Sequence, residues 1–447
     1  MANKKMHLAL LLEPHGMHPA AWLQSTTNLN AANDINHYRY MAAAAETACF
    51  DLVFEADTPA ARTDNLQAWA RYPMFMNKFE PMTLLANLAS ATKHVGLAGT
   101  VSTTFTEPYN LARMLSSLDH MSGGRAAWNV VTSANAYVAG NFGQKELPAH
   151  SDRYAMANEF VKLLFDLWDT YEDDAFIKDR KSGLYLEPSK MHPVHHEGAN
   201  YKLHGALNIA RSPQGRPVIV QAGASSTGQE LAAETAEIVF GNADTLEEAI
   251  AFRKGLMERM AKFGREEHSL KVLSSFAVVL GDSRAEADEK YQSLQEAIHP
   301  DVGRFLLSGE LEADLSKIDY DEPIPLELLP DSAKYSKSYF DKVIAIVRQE
   351  RPSLRQLVNR YDRGHPTFRG TAKDVADRME NWFEQGGGDG FMMIFHEHPN
   401  EFERFSREVV PELQRRGLFR KQYSGPTLRD HLGLARPEHG VRSKTGA

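Results

Sequence analysis

Cys49 is the only cysteine in the chain. One thiol cannot close an intramolecular disulfide, and multi-cysteine zinc and iron–sulfur sites are excluded with it. Cys49 sits in AAAAETACFDLVF, an apolar passage from helix to strand, where an inert buried thiol is favoured over a nucleophile. No apolar run reaches the roughly 18 residues that a membrane-spanning helix needs. Charges of one sign are not gathered into blocks, and a net charge of -9 argues against a nucleic-acid or anionic-membrane surface. A P-loop and a dinucleotide fingerprint are both missing. The one glycine cluster, Gly386-Gly387-Gly388, precedes an apolar run instead of following one, so no built-in nicotinamide site is expected. The opening MANKKMHLALLLEPHG imitates a secretory leader. Its apolar stretch is short, however, and ends in Glu13-Pro14 without a small-residue cleavage site, so it is expected to be the first strand of a soluble, cytoplasmic protein.

What the chain does have is hydrophobic residues, 43% of 447, in short β-rich runs that alternate with helical patterns. Strands are expected at Met6–Leu12, Phe50–Glu55, His94–Thr100, Ala126–Thr132, Pro217–Ala222, Glu237–Phe240, Lys271–Leu280 and Gly390–Phe395. Helical patterns separate them, the longest over Ser151–Thr170, where Phe160, Leu163, Leu164 and Leu167 share a face. Continuous apolar strands imply burial on both faces, as in a parallel sheet covered by helices. Strict βα alternation leaves an open doubly wound sheet or a closed barrel, and eight units favour the (β/α)8 TIM barrel in one domain, residues 1–447. Residues 281–370 form an insertion after the seventh strand, with helices expected around Glu286–Ile298, Tyr339–Glu350 and Ser353–Tyr361. It is read as a lid or substrate wall, with an oligomerisation arm as the alternative. The tail Pro437–Ala447 is expected to be frayed or draped over a neighbour.

In a barrel, chemistry collects where strands end and βα-loops begin. The second strand ends in Glu55-Ala56-Asp57, the third runs into Ser102-Thr103-Thr104, and the fourth into Thr132, Ser133 and Asn135. The fifth ends at Gln221 and continues as Ala222-Gly223-Ala224-Ser225-Ser226-Thr227-Gly228. Here glycines permit close backbone approach, and Ser225 and Ser226 open a helix whose free N–H groups suit a phosphate, an ordinary N-cap being the bland alternative. His150 and Tyr154 are one helical turn apart, so they share a face and either grip a phosphate or ribityl chain or serve as cap and packing. Asp57, at the end of a buried strand, needs a ligand or loop amides to satisfy it. His192, His195, His196 and Glu197 match no metal-ligand spacing and read as a solvated loop. His396-Glu397-His398 sits at the mouth but is weak as a metal motif, and no metal is expected. Glu13, Pro14, His15 and His18 are candidates to border the substrate, and Arg71 and Lys78 to bind a carboxylate.

Three stretches carry a family resemblance: EPYNLARMLSSLDHMSGGRAAWNVVTSANAYVAGNFG, HSDRYAMANEF, and SPQGRPVIVQAGASSTGQELAAETAEIVF. The chain resembles the bacterial luciferase-like flavin-dependent monooxygenases, in the branch of the nitrilotriacetate and dibenzothiophene-sulfone monooxygenases, almost from end to end. The resemblance implies FMN bound as FMNH2 at the barrel mouth, with Asp57 beside the isoalloxazine, Thr103 at the ring, and His150 and Tyr154 on the phosphate side. It places Ser225 or Ser226 on the phosphate itself, with Ser226 preferred. It implies a separate NAD(P)H:flavin reductase and O2 as co-substrate, with oxygen adding at flavin C4a to give a peroxide that oxidises a small organic molecule, with C–N or C–S cleavage among the outcomes. His150 is a candidate for proton transfer. A homodimer or homotetramer is expected. Two rival enzymes are a deazaflavin- or flavin-dependent dehydrogenase on the same barrel, which would ignore oxygen, and a metal-dependent hydrolase. A non-catalytic flavin-binding subunit is the rival from another class.

Overall fold

The computed structural model describes residues 4–74, 76–133, 135–223, 225–332, 337–360, 362 and 367–440. Ala224, Tyr361 and the tail residues 441–447, on which expectations were placed, lie outside these. All eight expected strands form: β1 (His7–Leu11), β2 (Leu52–Glu55), β3 (Gly96–Ser102), β4 (Ala126–Val131), β5 (Val218–Gln221), β6 (Ile238–Gly241), β7 (Lys271–Leu280) and β8 (Gly390–Phe395). They pair in chain order, all parallel, and β8 returns to β1 through His7↔Gly390 to Leu10↔Met393, which closes the barrel.

Side chains alternate along each strand. Ala9, Leu11, Leu52, Phe54, Ala98, Ala127, Val218 and Val220 meet inside the barrel. Leu8, Leu10, Val53, Leu97, Trp128 and Ile219 turn outward under the helices. Both sets are buried, which is why the strands read as unbroken apolar runs. Large and small residues balance in the interior. Phe54 and Phe240 approach to 4.9 Å between ring centroids, next to the alanines.

Helix ends follow local chemistry. Pro81 and Pro108 open their helices, and Ser225 and Thr245 accept hydrogen bonds from first-turn amides. The helix Pro108–Ser122 stops at Gly123, whose φ of 70° suits a residue without Cβ.

Two excursions depart from the simple repeat. Between β4 and β5 the stretch read as a solvated histidine loop is an antiparallel hairpin, Val194–Glu197 against Lys202–Gly205. Glu159, on the helix His150–Trp168, clamps it by accepting from His196 Nε2, Asn200 N and Tyr201 N. After β7 come the helices Arg284–Glu296, Pro300–Glu310, Lys337–Glu350 and Leu354–Val358, then a short strand, Thr367–Gly370, that pairs with the far end of β7. The helix Pro300–Glu310 and this strand were not anticipated. Val302, Leu307, Leu311, Ile324, Phe340 and Leu354 form a separate apolar cluster there, which takes in Ala20 from the loop after β1 and Trp69 and Tyr72 from the loop after β2. The insertion is thereby seated on loops of the barrel mouth.

Candidate active site

A cavity of about 270 Å³ opens at the C-terminal ends of the strands, lined among others by Asp57, Ser133, Tyr154, Gln221, Gly223 and Gly228. A second, of about 260 Å³, shares Asp57, Pro59 and Val131 with it and runs between Met82, Phe105 and Phe142. Phe105 and Phe142 stack at 4.5 Å, giving that slot an aromatic wall.

The loop after β5 has the anticipated construction. Ser225 is the N-cap of the helix Ser226–Thr235, and its hydroxyl accepts from Gly228 N at 3.1 Å. Ser226 is the first helical residue, so its N–H and those of the rest of the first turn have no partner within the helix. A Cβ on Gly228 would stand 3.0 Å from Tyr154 Oη and 3.1 Å from both Gly223 Cα and Ser225 Oγ. The glycines therefore allow the loop, the helix start and the tyrosine to converge. Tyr154 Oη lies 3.5 Å from Ser225 Oγ, and the His150 and Tyr154 rings are 4.8 Å apart. His150, Tyr154, Ser225 and Ser226 thus surround one corner of the mouth. Gln221 Nε2, buried at the end of β5, has no hydrogen-bond partner among the described residues. Thr103 is buried beside the cavity and outside its lining, with its hydroxyl donating to the Val131 carbonyl at 3.2 Å.

Asp57 lines both cavities and follows Glu55, a member of a buried charge cluster, by two residues. Glu55, fully buried one residue before Ala56, pairs with Lys78 Nζ at 2.6 Å. The same ammonium lies 3.4 Å from Glu13 Oε1 and donates to the Ala56 carbonyl at 2.7 Å. Burial pushes the Asp57 carboxyl up to about 6, against the pull of Lys78. Burial likewise raises Glu55, to about 8. Burial opposes the charge on Lys78, but Glu13 and Glu55 overcome it and hold the ammonium above its ordinary value. Lys78 is therefore not the free carboxylate receptor expected, since its side chain is 6% exposed and already committed. Arg71 donates to the Gln67 carbonyl and to His299 Nε2. The cluster itself was missed, although a glutamate closing an otherwise apolar strand was its visible trace.

The histidines serve other contacts. His18 Nε2 and Gln295 Oε1 are 2.9 Å apart, and His396 Nε2 lies 2.8 Å from Thr367 Oγ1. Burial drives His398 down to about 3, so it stays neutral. Glu13, His15, His18, Tyr72 and Lys78 border a small cleft between the loops after β1 and β2. Among the described residues, no three His, Cys, Asp or Glu side chains are grouped to hold a metal ion.

The luciferase-like monooxygenase family matches residues 16–390. The chain is 43% identical to nitrilotriacetate monooxygenase component A of Aminobacter aminovorans, over 98% of its own length and 99% of that protein's. It is 35% identical to dibenzothiophene-sulfone monooxygenase of Rhodococcus erythropolis (strain XP), over 98% of both. Among solved structures, DmoA of Hyphomicrobium sulfonivorans superposes with a TM-score of 0.87 at 30% identity, covering 99% of this chain and 95% of that one.

Proposed function

The chain belongs to the luciferase-like monooxygenase family, and on that premise we propose that it is the oxygenating component of a two-component system that uses reduced FMN and O2 on a small organic substrate, with C–N or C–S cleavage. The observation that carries the cofactor is the corner where Tyr154, Ser225 and the glycine-lined start of the helix Ser226–Thr235 converge, beside a cavity that Asp57 also lines.

The residues fit FMN. The helix N-terminus offers free N–H groups and its positive dipole end to a phosphate dianion, and the Ser225, Ser226 and Tyr154 hydroxyls supply donors around it. The partnerless Gln221 amide suits a carbonyl on the polar edge of a flavin ring. Asp57, Thr103 and His150 complete the proposed set, with Asp57 and Thr103 toward the ring and His150 beside the phosphate. His150 has a second proposed role, in proton transfer. When bound, reduced FMN supplies the electrons that activate O2. The protein's part is to orient cofactor and substrate, to shed water from the slot walled by Phe105, Phe142 and Met82, and to hold protons at Asp57.

The name "component A" of the nitrilotriacetate relative supports a separate reductase as the source of reduced flavin here. The insertion over residues 281–370, resting on the loops after β1 and β2, supports its reading as a wall of the substrate site within one barrel domain. We expect a homodimer or homotetramer, which light scattering will distinguish.

The test is binding of oxidised and anaerobically reduced FMN to wild type and to Ser226→Ala/Tyr154→Phe. Micromolar or tighter binding of reduced FMN, weakened tenfold or more in the double variant, is expected (about 1.4 kcal/mol). Failure of folded wild type to bind either form removes the FMN reading. Substrate turnover without oxygen consumption would favour the dehydrogenase alternative.

A further inference from the structure

Two exposed histidines in the hairpin between β4 and β5 stand in a geometry that suits an ion better than a hydrogen bond. His195 and His204 are direct cross-strand partners, so their side chains leave the same face of the hairpin. Their Nδ1 atoms lie 3.3 Å apart and their ring centroids 5.3 Å apart. That separation is longer than the roughly 2.7–3.2 Å usual for an N–H donor. Rings aimed straight at each other across it would also hold their centroids wider, at roughly 5.6 Å.

We propose that His195 and His204 form a zinc site, with Zn2+ held by the two Nδ1 atoms and completed by water. A tetrahedral ion with Zn–N bonds of about 2.0–2.1 Å sets its nitrogens roughly 3.3–3.4 Å apart. Imidazole rings pointing at that ion have centroids roughly 5.1–5.3 Å apart. Both observed distances match. A square-planar ion would need the nitrogens at roughly 2.8–3.0 Å, so the pair suits zinc better than Cu2+.

The tautomer is the one a ligand requires. His204 donates its Nε2–H to Glu197 Oε1 at 2.6 Å, which leaves the lone pair on Nδ1, facing His195. A carboxylate behind a ligating imidazole is how zinc sites commonly fix ring orientation. Glu197 leaves the same face as His195, and Lys202 Nζ lies 3.3 Å from its Oε2. The opposite face is braced. There Glu159 accepts from His196 Nε2 at 2.8 Å, Asn200 N at 3.0 Å and Tyr201 N at 3.1 Å. The hairpin is therefore fixed before an ion arrives, and little ordering opposes binding. The two ligands are nine residues apart in sequence, and only the strand register brings them together.

Two protein ligands are fewer than the three or four of catalytic and structural zinc sites, so this site fills and empties with free zinc. An ion there staples the two strands of a hairpin that Glu159 already ties to the helix His150–Trp168. Neither histidine lines a mouth cavity, so the site goes beyond the FMN reading and does not depend on it.

The test uses the full chain, stripped with a chelator and titrated with Zn2+ by calorimetry. Wild type should bind Zn2+ here in the micromolar range, and His195→Gln and His204→Gln should each weaken it at least tenfold. Both histidines are exposed, so neither substitution opens the core. Glu197→Ala should weaken binding about tenfold or more, because His204 loses the acceptor that fixes its tautomer. His192→Gln, just outside the hairpin, should leave it unchanged. Hydrogen exchange supplies the location. With Zn2+ at about ten times its dissociation constant, amides of Val194–Glu197 and Lys202–Gly205 should exchange up to about tenfold more slowly in wild type. In His204→Gln the same amides should keep their zinc-free rates. No binding below about 1 mM, equal affinity in wild type and both glutamine variants, loss in only one of them, or protection elsewhere in the chain overturns the proposal.

Discussion

The two ends of β2 carry buried acids of opposite character. Asp51, just before the strand, receives the Arg420 guanidinium, His7 Nδ1 at 2.7 Å and the Leu8 amide at 2.8 Å. Although burial opposes ionisation, Arg420 and His7 hold its carboxyl below the ordinary range. Glu55, at the other end, shares one lysine with Glu13 and is pushed up to about 8. The contrast recurs around the barrel. On the N-terminal face, Glu237 before β6 is gripped by Arg429 at 2.6 and 3.0 Å, and Asp389 before β8 is paired with Lys4 at 2.7 Å, and both are held low. At the mouth, Asp57 is held high. Asp119, a buried acid of the N-terminal side raised by desolvation, is the exception, and its Oδ1 accepts from the neutral donors Ala126 N and Gln214 Nε2. One face of the barrel therefore matches its buried acids with cations that keep them ionised, while at the mouth burial outweighs the single lysine and raises Glu55 and Asp57.

The sharpest way to break this comparison is to neutralise both ends of the same strand. Asp51→Asn should cost about 3–5 kcal/mol in denaturant unfolding, because Arg420 is left buried without its partner. Glu55→Gln should stay within about 1 kcal/mol of wild type near pH 6, since Glu13 still compensates Lys78 and the amide imitates the protonated acid. Equal losses at the two positions would show that both acids are structural.

A pH series separates the faces next. For Asp51, Glu237 and Asp389 the folded-state pKa is depressed, so their stabilisation is present above the ordinary carboxylate range and is lost as pH falls through the folded value. For Glu55 and Asp57 the folded value is raised. Their stabilisation is present when protonated and is lost as pH climbs from about 4 through about 6 and about 8. Unfolding measured from pH 3 to 9 should show a steep acid limb common to wild type and Glu55→Gln. The alkaline decline, roughly 1.4 kcal/mol per unit per group at its steepest, should be shallower in Glu55→Gln. An identical alkaline limb in the two proteins would contradict the raised carboxyl.

How much of this was legible follows the same division. The eight strands were readable because burial on both faces leaves an uninterrupted apolar word such as GFMMIF, fully buried in β8. The convergence of the corner proposed for the phosphate was readable because Gly223, Ser225, Ser226 and Gly228 sit in one loop, and His150 and Tyr154 in one helical turn. Lys78 and Glu13 were not, because their relation to Glu55 is made only by closing the barrel, and a lysine in a loop reads as solvated until its partners arrive. The strand Thr367–Gly370 hides for a related reason: four residues with no alternation of their own are fixed by the overlong β7 beside them. The hairpin Val194–Glu197 with Lys202–Gly205 is polar and half-exposed, and its order comes from Glu159 on another element.

A change at the corner proposed for the phosphate should touch binding more than folding. In Gly228→Ala the helix gains up to about 1 kcal/mol in propensity, offset by a Cβ placed 3.0 Å from Tyr154 Oη and 3.1 Å from Ser225 Oγ. The net effect on unfolding should be small. Displacing Tyr154 from Ser225 should weaken FMN at least tenfold, about 1.4 kcal/mol, by titration. Unchanged affinity would place the phosphate elsewhere.

The smallest expected effect tests whether the mouth is one mechanical unit. Arg62, anchored by Asp64, lies over Trp69 at 5.0 Å, Tyr137 at 4.6 Å and Phe305 at 5.6 Å. These rings come from the loop after β2, the turn Ala136–Phe142 after β4, and the insertion helix Pro300–Glu310. One partly exposed guanidinium shared among three rings contributes about 0.5–1 kcal/mol in all, because only one ring at a time is met face-on, so Arg62→Ala should lower global stability by about that much. Its signature lies in where protection is lost. Hydrogen exchange should quicken together in Ala136–Phe142 and Pro300–Glu310, while β1 and β2 near Asp51 keep wild-type protection. An effect confined to the loop around Arg62 itself would mean that the insertion is held by its apolar cluster with Trp69 and Tyr72 alone. The mouth would then open in pieces, and the insertion would swing on hydrophobic contacts that substrate binding can replace.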